Sequence, residues 1–377
     1  MRRLLFVVND ARFFVSHRLP IAQAAQRLGF DVHVATSTKE RDLPGEIYAA
    51  GFHHHFLPLN RSGLNPFLEI ISFISLWLLL MRLRPSTLHL VTIKPIIYGG
   101  LAARFAPVKG VVAAVSGLGF VFLKRGMKAN LVRALVVILY RLALNKNNLT
   151  VIFQNNDDCQ KLVSLNVIPY SKTVLIRGSG VDLSLCYPQP EAAGMPVITF
   201  AARLLRDKGV EHFVDAARIL RQRGVDARFL LAGDIDPGNP SSISHDDIFR
   251  WQMEKIVEWI GYSHDICQVF AESHVVVLPS YREGLPKVLV EAAACGRAIV
   301  TTDVPGCRDA IESNVTGLLV PARNVAALSD AIQQLVEYPE LRRRFGRAGR
   351  ALAEREFAIE KIVQQHMNIY IALEKRV

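Results

Sequence analysis

Short apolar runs alternate with helical stretches along this chain, and the series begins twice. Residues 4–8 form the first run; a polar loop at residues 9–12, a helix over about 16–28 closed by Gly29, and a second run at 32–35 follow. Runs at 88–93, 111–115, 150–153 and 173–176 continue the alternation, which a doubly wound parallel sheet requires. After the segment 178–182 and the proline-bounded stretch 188–196, residues 197–201 open a second series, carried on at 229–232, 275–278 and 298–301. The expectation is α/β: two Rossmann-like domains, each a doubly wound parallel sheet, over residues 1–185 and 186–358, with a linker at about 183–196. A last helix at about 359–377 is assignable to either domain, and packing back onto the first is one of the two options. A length of 377 residues suits two cores.

Charge separates the halves. Residues 1–185 carry 22 Lys and Arg against 9 Asp and Glu, whereas residues 186–377 carry 23 against 25. A basic first half points to phosphorylated substrate, anionic lipid or nucleic acid. No helix-turn-helix, finger or aromatic stacking signature accompanies it, so nucleic acid is set aside. The same half holds two very apolar segments, 67–81 and 131–144. Each is shorter than the ~20 residues that span a bilayer, and Arg82, Arg84, Arg133 and Arg141 flank or interrupt them. They read as interfacial helices or as buried core helices; their coincidence with the basic half favours membrane contact. The N-terminal apolar run is broken by residues 9–12 too early for a signal-peptide core and reads as a buried strand. The five cysteines, Cys159, Cys186, Cys267, Cys295 and Cys307, are scattered with no C-x-x-C pair or zinc spacing, which predicts a reduced, cytosolic-side location.

The most informative stretch is residues 274–302. It holds a buried strand, a loop at 279–284, Pro286 at a helix start, Glu291 inside that helix, Gly296 at its end, and another strand. Such a helix points its N-terminus at the carboxyl ends of the sheet, where open α/β sheets bind ligands and unpaired N–H groups suit a diphosphate. Glu283 in the loop and Glu291 in the helix are acceptors for vicinal hydroxyls, as on sugars and ribose.

With Glu283-x7-Glu291 go Ala202-Arg203-Leu204-Leu205-Arg206-Asp207-Lys208-Gly209, Leu231-Ala232-Gly233-Asp234, Gly178-Ser179-Gly180-Val181-Asp182 and Pro305-Gly306. In this order the cassette resembles the family-4 glycosyltransferases of the GT-B fold over nearly the whole chain, which implies two Rossmann-like domains facing a cleft. The resemblance implies that Glu291 binds the nucleotide ribose, Glu283 the donor-sugar hydroxyls, and Arg203 with Lys208 the diphosphate; Gly284, Leu285, Pro286, Lys287, Val288 and Gly233 complete the donor-binding set. Fixed cations there stabilise the charge that develops on the departing diphosphate. The family is expected to retain anomeric configuration by front-side attack, so no covalent nucleophile is assigned. Asp234-Ile235-Asp236 looks like a metal-binding Asp-x-Asp, but in this family's pattern it falls in a turn near the nucleotide. No metal and no cofactor is expected, the nucleotide sugar being a substrate.

For the acceptor, Asn9, Asp10, His17 and Arg18 follow the first strand, and Lys94 stands to meet a pyrophosphate. The glycine pair that family members often carry in that first loop is absent here. The resemblance suggests a catalytic-cleft histidine near His89, read as ending its strand; a structural histidine is the equal alternative. Residues 116–119 read as a ligand-approaching turn or an ordinary one. Consecutive His53, His54 and His55 on a strand point to opposite faces and cannot share one ion. Residues 16–20, 94–99 and 280–288 look like the bacterial branch that extends undecaprenyl-diphosphate-linked sugars. The implied reaction moves a hexose or N-acetylhexosamine, UDP-linked in the first expectation, to a polyprenyl-diphosphate-linked glycan in surface polysaccharide synthesis, peripherally on the cytoplasmic face of the inner membrane. A transferase with a soluble acceptor and a GT-B-like sugar-nucleotide epimerase are the alternatives.

Overall fold

The computed structural model describes residues 2–39, 42, 44–59, 65–119, 122 and 126–375. The chain divides into two compact units, 1–179 with 360–377, and 180–359.

The first unit holds seven strands: β1 (Arg3–Val7), β2 (Asp31–Thr36), β3 (His53–Phe56), β4 (Thr87–Val91), β5 (Gly110–Val115), β6 (Leu149–Phe153) and β7 (Thr173–Leu175). All pair in parallel, in the order β3-β2-β1-β4-β5-β6-β7. The strand order reverses between β1 and β4, which makes a topological switch point. Side-chain alternation splits the core into two layers. Leu5, Val7, Leu88 and Leu90 share a layer with α3 (Pro66–Leu83), α4 (Ile93–Ala102), α5 (Met127–Leu144) and α6 (Asn156–Ser164). Leu4, Phe6, Val32 and Val34 share the other with α1 (Ala11–Arg27), α2 (Gly45–Ala49) and the final helix, α13 (Ile359–Lys375), which returns to this unit. Arg2 holds it there through two hydrogen bonds to Glu374.

The second unit has six parallel strands: β8 (Val197–Ala201), β9 (Arg228–Ala232), β10 (Glu258–Gly261), β11 (Val275–Leu278), β12 (Ala298–Thr302) and β13 (Gly317–Val320), in the order β10-β9-β8-β11-β12-β13. The reversal between β8 and β11 repeats that of the first unit. Its helices are α7 (Val210–Gln222), α8 (His245–Met253), α9 (Ile266–Ala271), α10 (Lys287–Ala294), α11 (Val325–Glu337) and α12 (Pro339–Leu352), around one continuous core. Both units are Rossmann-like α/β sheets, as the alternation requires.

Four local readings change. The first helix begins at Ala11, not near residue 16, because the Asp10 side chain accepts the Phe13 N–H at 3.1 Å and caps it; the polar loop is an N-cap. β10 and β13 went unread because each is only four residues long and alternates in burial or opens with glycine. His89 does not end its strand: it is the middle residue of β4. The expectation of five separate reduced cysteines is also corrected. Cys186 and Cys267, 81 residues apart, are joined as a disulfide with Cα atoms 5.1 Å apart, and Cys159, Cys295 and Cys307 are buried free thiols. Sequence spacing carries no information about such a long-range approach.

Candidate functional site

The second unit gathers three loops at the carboxyl ends of β8, β11 and β12, beside its switch point. The loop after β8 carries Arg203 and then Arg206–Lys208 in a 3-10 turn, ended by Gly209 at φ 79°. A Cβ on Gly209 would collide with the Pro279 backbone, so only glycine lets the β8 and β11 loops touch. The Tyr281 N–H donates to the Asp207 carbonyl at 2.9 Å and closes that junction. From the third loop, the Pro305 carbonyl accepts the Glu283 N–H at 3.0 Å. Gly306, at φ 83°, lies where a Cβ would sit 2.6 Å from the Glu283 carbonyl group. The loop after β12 thus packs directly against the Glu283 backbone.

Its carboxylate accepts from the Lys208 ammonium and from the Ser280 hydroxyl at 2.7 Å. Two positions that the sequence pairs only through a family pattern are therefore one ion pair, mostly shielded from solvent. Arg203 forms a 2.5 Å ion pair with Asp236. Asp236, the second acid of the Asp-x-Asp look-alike, thus faces a guanidinium. Gly233, at φ 143°, leaves no room for a Cβ against the Ala202 carbonyl, and this close approach brings the β8 and β9 loops together. Gly284, Leu285 and Pro286 run from Glu283 into α10, whose first turn has no side-chain cap. Its leading N–H groups and dipole make an anion-favouring end. Val288 is half-buried against the core, and Lys287 pairs with Glu291 one turn further along α10 at 2.7 Å. Burial raises the Glu291 carboxyl above the usual range, and Lys287 opposes that shift. Paired in this way, the cations offer donors for anionic oxygens and the carboxylates acceptors for hydroxyls.

The first-unit residues behave differently. The Asn9 amide oxygen is buried without a partner. Asp10 caps α1, and His17 stacks on Phe13 with ring centroids 4.0 Å apart. Arg18 is 2% exposed because it shares the inward stripe of α1 with Phe14, Ile21, Ala22 and Ala25. Burial lowers its pKa to about 10, and it donates to the His17 carbonyl at 2.9 Å. It is not a surface acceptor ligand. His89 is 0% exposed and lies under α13, its Nδ1 2.6 Å from the Tyr370 hydroxyl. The side-chain alternation of β4 turns it into the layer shared with Phe6, so the catalytic role offered for it gives way to a structural one. Lys94 pairs with Glu69 of α3 at 2.5 Å, and Tyr98, one turn on, donates to the same carboxylate.

Sequence reasoning gives no warning of the backbone at Thr92, between β4 and α4. It holds φ 74°, unusual for a β-branched residue, and its hydroxyl is buried without a partner. Nothing in its local sequence signals this strain. His53 and His55 do share a face: His55 Nε2 lies 2.9 Å from His33 Nδ1, and Asp31 joins His33 at 3.1 Å and His53 at 3.3 Å. His54 turns away, to Thr36.

The family model "Glycosyl transferases group 1" matches residues 188–352, and "Glycosyl transferase 4-like" matches residues 3–155. The chain is 30% identical over 358 residues, 90% of its length and 91% of the relative's, to N,N'-diacetylbacillosaminyl-diphospho-undecaprenol alpha-1,3-N-acetylgalactosaminyltransferase of Campylobacter jejuni. It is 24% identical over 295 residues, 75% of its length and 74% of the relative's, to UDP-Gal:alpha-D-GlcNAc-diphosphoundecaprenol alpha-1,3-galactosyltransferase of Escherichia coli. Similar solved structures include sucrose-phosphate synthase from Thermosynechococcus elongatus (TM-score 0.83, 20% identity, 100% of both chains). Anabaena HepE in complex with UDP and glucose is another (TM-score 0.78, 19% identity, 98% of this chain and 99% of that one).

Proposed function

The chain belongs to the group 1 glycosyl transferases, of the family-4 GT-B type, and from that premise we propose that it transfers a hexose or N-acetylhexosamine from a UDP-sugar to an undecaprenyl-diphosphate-linked glycan. The names of the C. jejuni and E. coli relatives, both of which specify diphospho-undecaprenol substrates, support the acceptor class. The observation that carries the reading is the Lys208–Glu283–Ser280 cluster beside the uncapped start of α10.

In this reading the diphosphate lies at the α10 N-terminus, with Arg203 and Lys208 turning from their carboxylate partners toward its oxygens. Glu291 accepts from ribose hydroxyls and Glu283 from those of the sugar. As the sugar–phosphate bond breaks, its electron pair goes to the diphosphate oxygen, where the fixed cations and N–H groups stabilise the charge. The acceptor hydroxyl attacks from the same face and gives its proton to that leaving oxygen, which retains configuration. No metal enters this scheme. Lys94, with Asn9 and His17, receives the acceptor's diphosphate.

We assign the protein a peripheral place on the cytoplasmic face of the membrane. Among the described residues no helix is long and apolar enough to cross a bilayer. Two helices nevertheless present apolar stripes to solvent: Phe67, Ile70, Ile71, Ile74 and Leu78 on α3, and Met127, Leu131, Leu135, Ile138 and Leu142 on α5. Phe67 is 78% exposed and Leu131 74%. Stripes of this kind beside Arg82, Arg133 and Arg141 match an anionic lipid surface.

The test is nucleotide release from a panel of UDP- and GDP-sugars, with and without bacterial lipid extract. Lipid-dependent UDP release that is lost in Glu283→Ala supports the assignment. Release that does not depend on lipid points instead to a soluble acceptor or a donor-only reaction, and no release from any donor removes the reading.

A further inference from the structure

Three sulfur atoms meet in the second unit, away from the loops described above. Cys186 lies in the segment before β8, Cys267 in the first turn of α9, and Cys295 caps the carboxyl end of α10. Their Sγ atoms all lie within 4.8 Å of one another; among the described residues this is the group of His, Cys, Asp or Glu side chains drawn together tightly enough to hold an ion. Cys186 and Cys295 are buried and Cys267 is half-buried, which leaves one side for entry. We propose that, once the Cys186–Cys267 disulfide is reduced, Cys186, Cys267 and Cys295 form a three-thiolate site for a soft divalent cation of the zinc class.

A structural disulfide has no need of a third sulfur, yet Cys295 is held against both partners, with its Sγ 3.8 Å from the Cys267 carbonyl. Tetrahedral thiolate ligation at about 2.3 Å places sulfurs roughly 3.8 Å apart, so only small side-chain shifts separate the reduced cluster from ligation. Charge balance points the same way. Three thiolates around a divalent cation leave one net negative charge in a buried setting. Arg350 donates to the Cys186 and Ala294 carbonyls at 2.8 and 2.9 Å, beside the cluster, and buried Arg297 lies near enough to act on the Cys295 sulfur.

The chemistry balances. Reduction adds two electrons and two protons to the disulfide, giving two thiols. A cellular dithiol supplies them and becomes a disulfide; in vitro a phosphine does so, taking up the oxygen of one water as its oxide. The cation then releases three thiol protons. The fourth coordination position is left to water at the half-buried edge near Cys267. A filled site would join the segment before β8, α9 and the end of α10, whose Cys295 N–H donates to the Glu291 carbonyl at 2.9 Å.

The experiment uses the full chain, reduced with a phosphine, freed of reductant without air and titrated with Cd²⁺, following the ultraviolet thiolate-to-cadmium band; Zn²⁺ competition reads the biological ion. We expect one equivalent bound, affinity at least tenfold weaker in Cys295→Ser and in Cys186→Ser, and no change in Cys159→Ser or Cys307→Ser. The absence of a band, or an unchanged titration in Cys295→Ser with native circular dichroism, overturns the proposal. So does mass spectrometry that finds Cys186 and Cys267 still joined after reduction of the native protein. Sugar transfer does not enter the readout, so this result stands or falls separately from the proposed function.

Discussion

Glu283 meets three neighbours of different kinds: an ammonium and a hydroxyl that donate to its carboxylate, and Gly306, whose lack of a side chain lets its backbone pack against that of Glu283. Lys208→Met removes a cation from the proposed diphosphate site and strands Glu283. Turnover measured as nucleotide release is expected to fall about 10²–10³-fold, the usual cost of losing one such charge-stabilising donor, with little change in circular dichroism. Gly306→Ala is a backbone test of the same site. Its positive φ alone costs an L-residue about 1–2 kcal/mol, and the new methyl must displace the Glu283 carbonyl. A lower melting temperature together with slower turnover is expected; a fully active variant would mean that this packing is not needed. These residues were legible in the sequence through their order along the chain. Thr92 and the burial of Arg18 were not equally so: the α1 stripe at 14, 18, 21, 22 and 25 does announce an inward Arg18, whereas the strain at Thr92 exists only once β4 and α4 are joined.

Among the elements, α13 shows how a helix far along the chain completes a distant sheet. Beneath it Tyr370 meets His89, and His366 donates from Nδ1 to the Ile362 carbonyl at 2.7 Å. Desolvation lowers the pKa of both imidazoles, that of His366 to about 3. In the unfolded chain both titrate near 6.5. Below that pH the unfolded state binds protons that the folded state refuses, so this contribution to stability is complete above about pH 6.5 and is lost as pH falls toward about 3. The slope is up to about 1.4 kcal/mol per pH unit for each group. Chemical denaturation between pH 7 and pH 4 is expected to show a shallower slope in His366→Gln than in the parent chain; parallel slopes would refute the assignment. Tyr370→Phe leaves the His89 Nδ1 buried without its partner and is expected to cost about 1–3 kcal/mol by denaturant titration. The apolar elements α3 and α5 make a prediction of the opposite kind. Ile74→Asp with Leu135→Asp changes solvent-facing positions. Binding to anionic vesicles in flotation is expected to drop, while turnover of a short-chain acceptor in detergent is preserved.

At the scale of the molecule, the six strands of the second sheet repeat the order of the first six strands of the first, to which β7 is added, and the donor site proposed above draws on the second unit alone. UDP is expected to protect the second unit selectively. Amide exchange should slow at residues 203–209 and 283–291, and a concentration of about 100 times Kd should stabilise that unit by about 2.7 kcal/mol; uniform protection of both units would contradict a donor site built in one. The sequence by itself determined the α/β class, the double series of strands, the basic first half and the ordered Glu283-x7-Glu291 cassette. These reside in periodicity and local order, which neighbouring residues carry among themselves. Only the tertiary structure decided that Lys208 meets Glu283, that His89 lies under Tyr370, and that Cys186, Cys267 and Cys295 share one buried volume. Each of these unites residues from 28 to 281 positions apart, and such approaches follow from strand order and close packing, which local pattern does not encode.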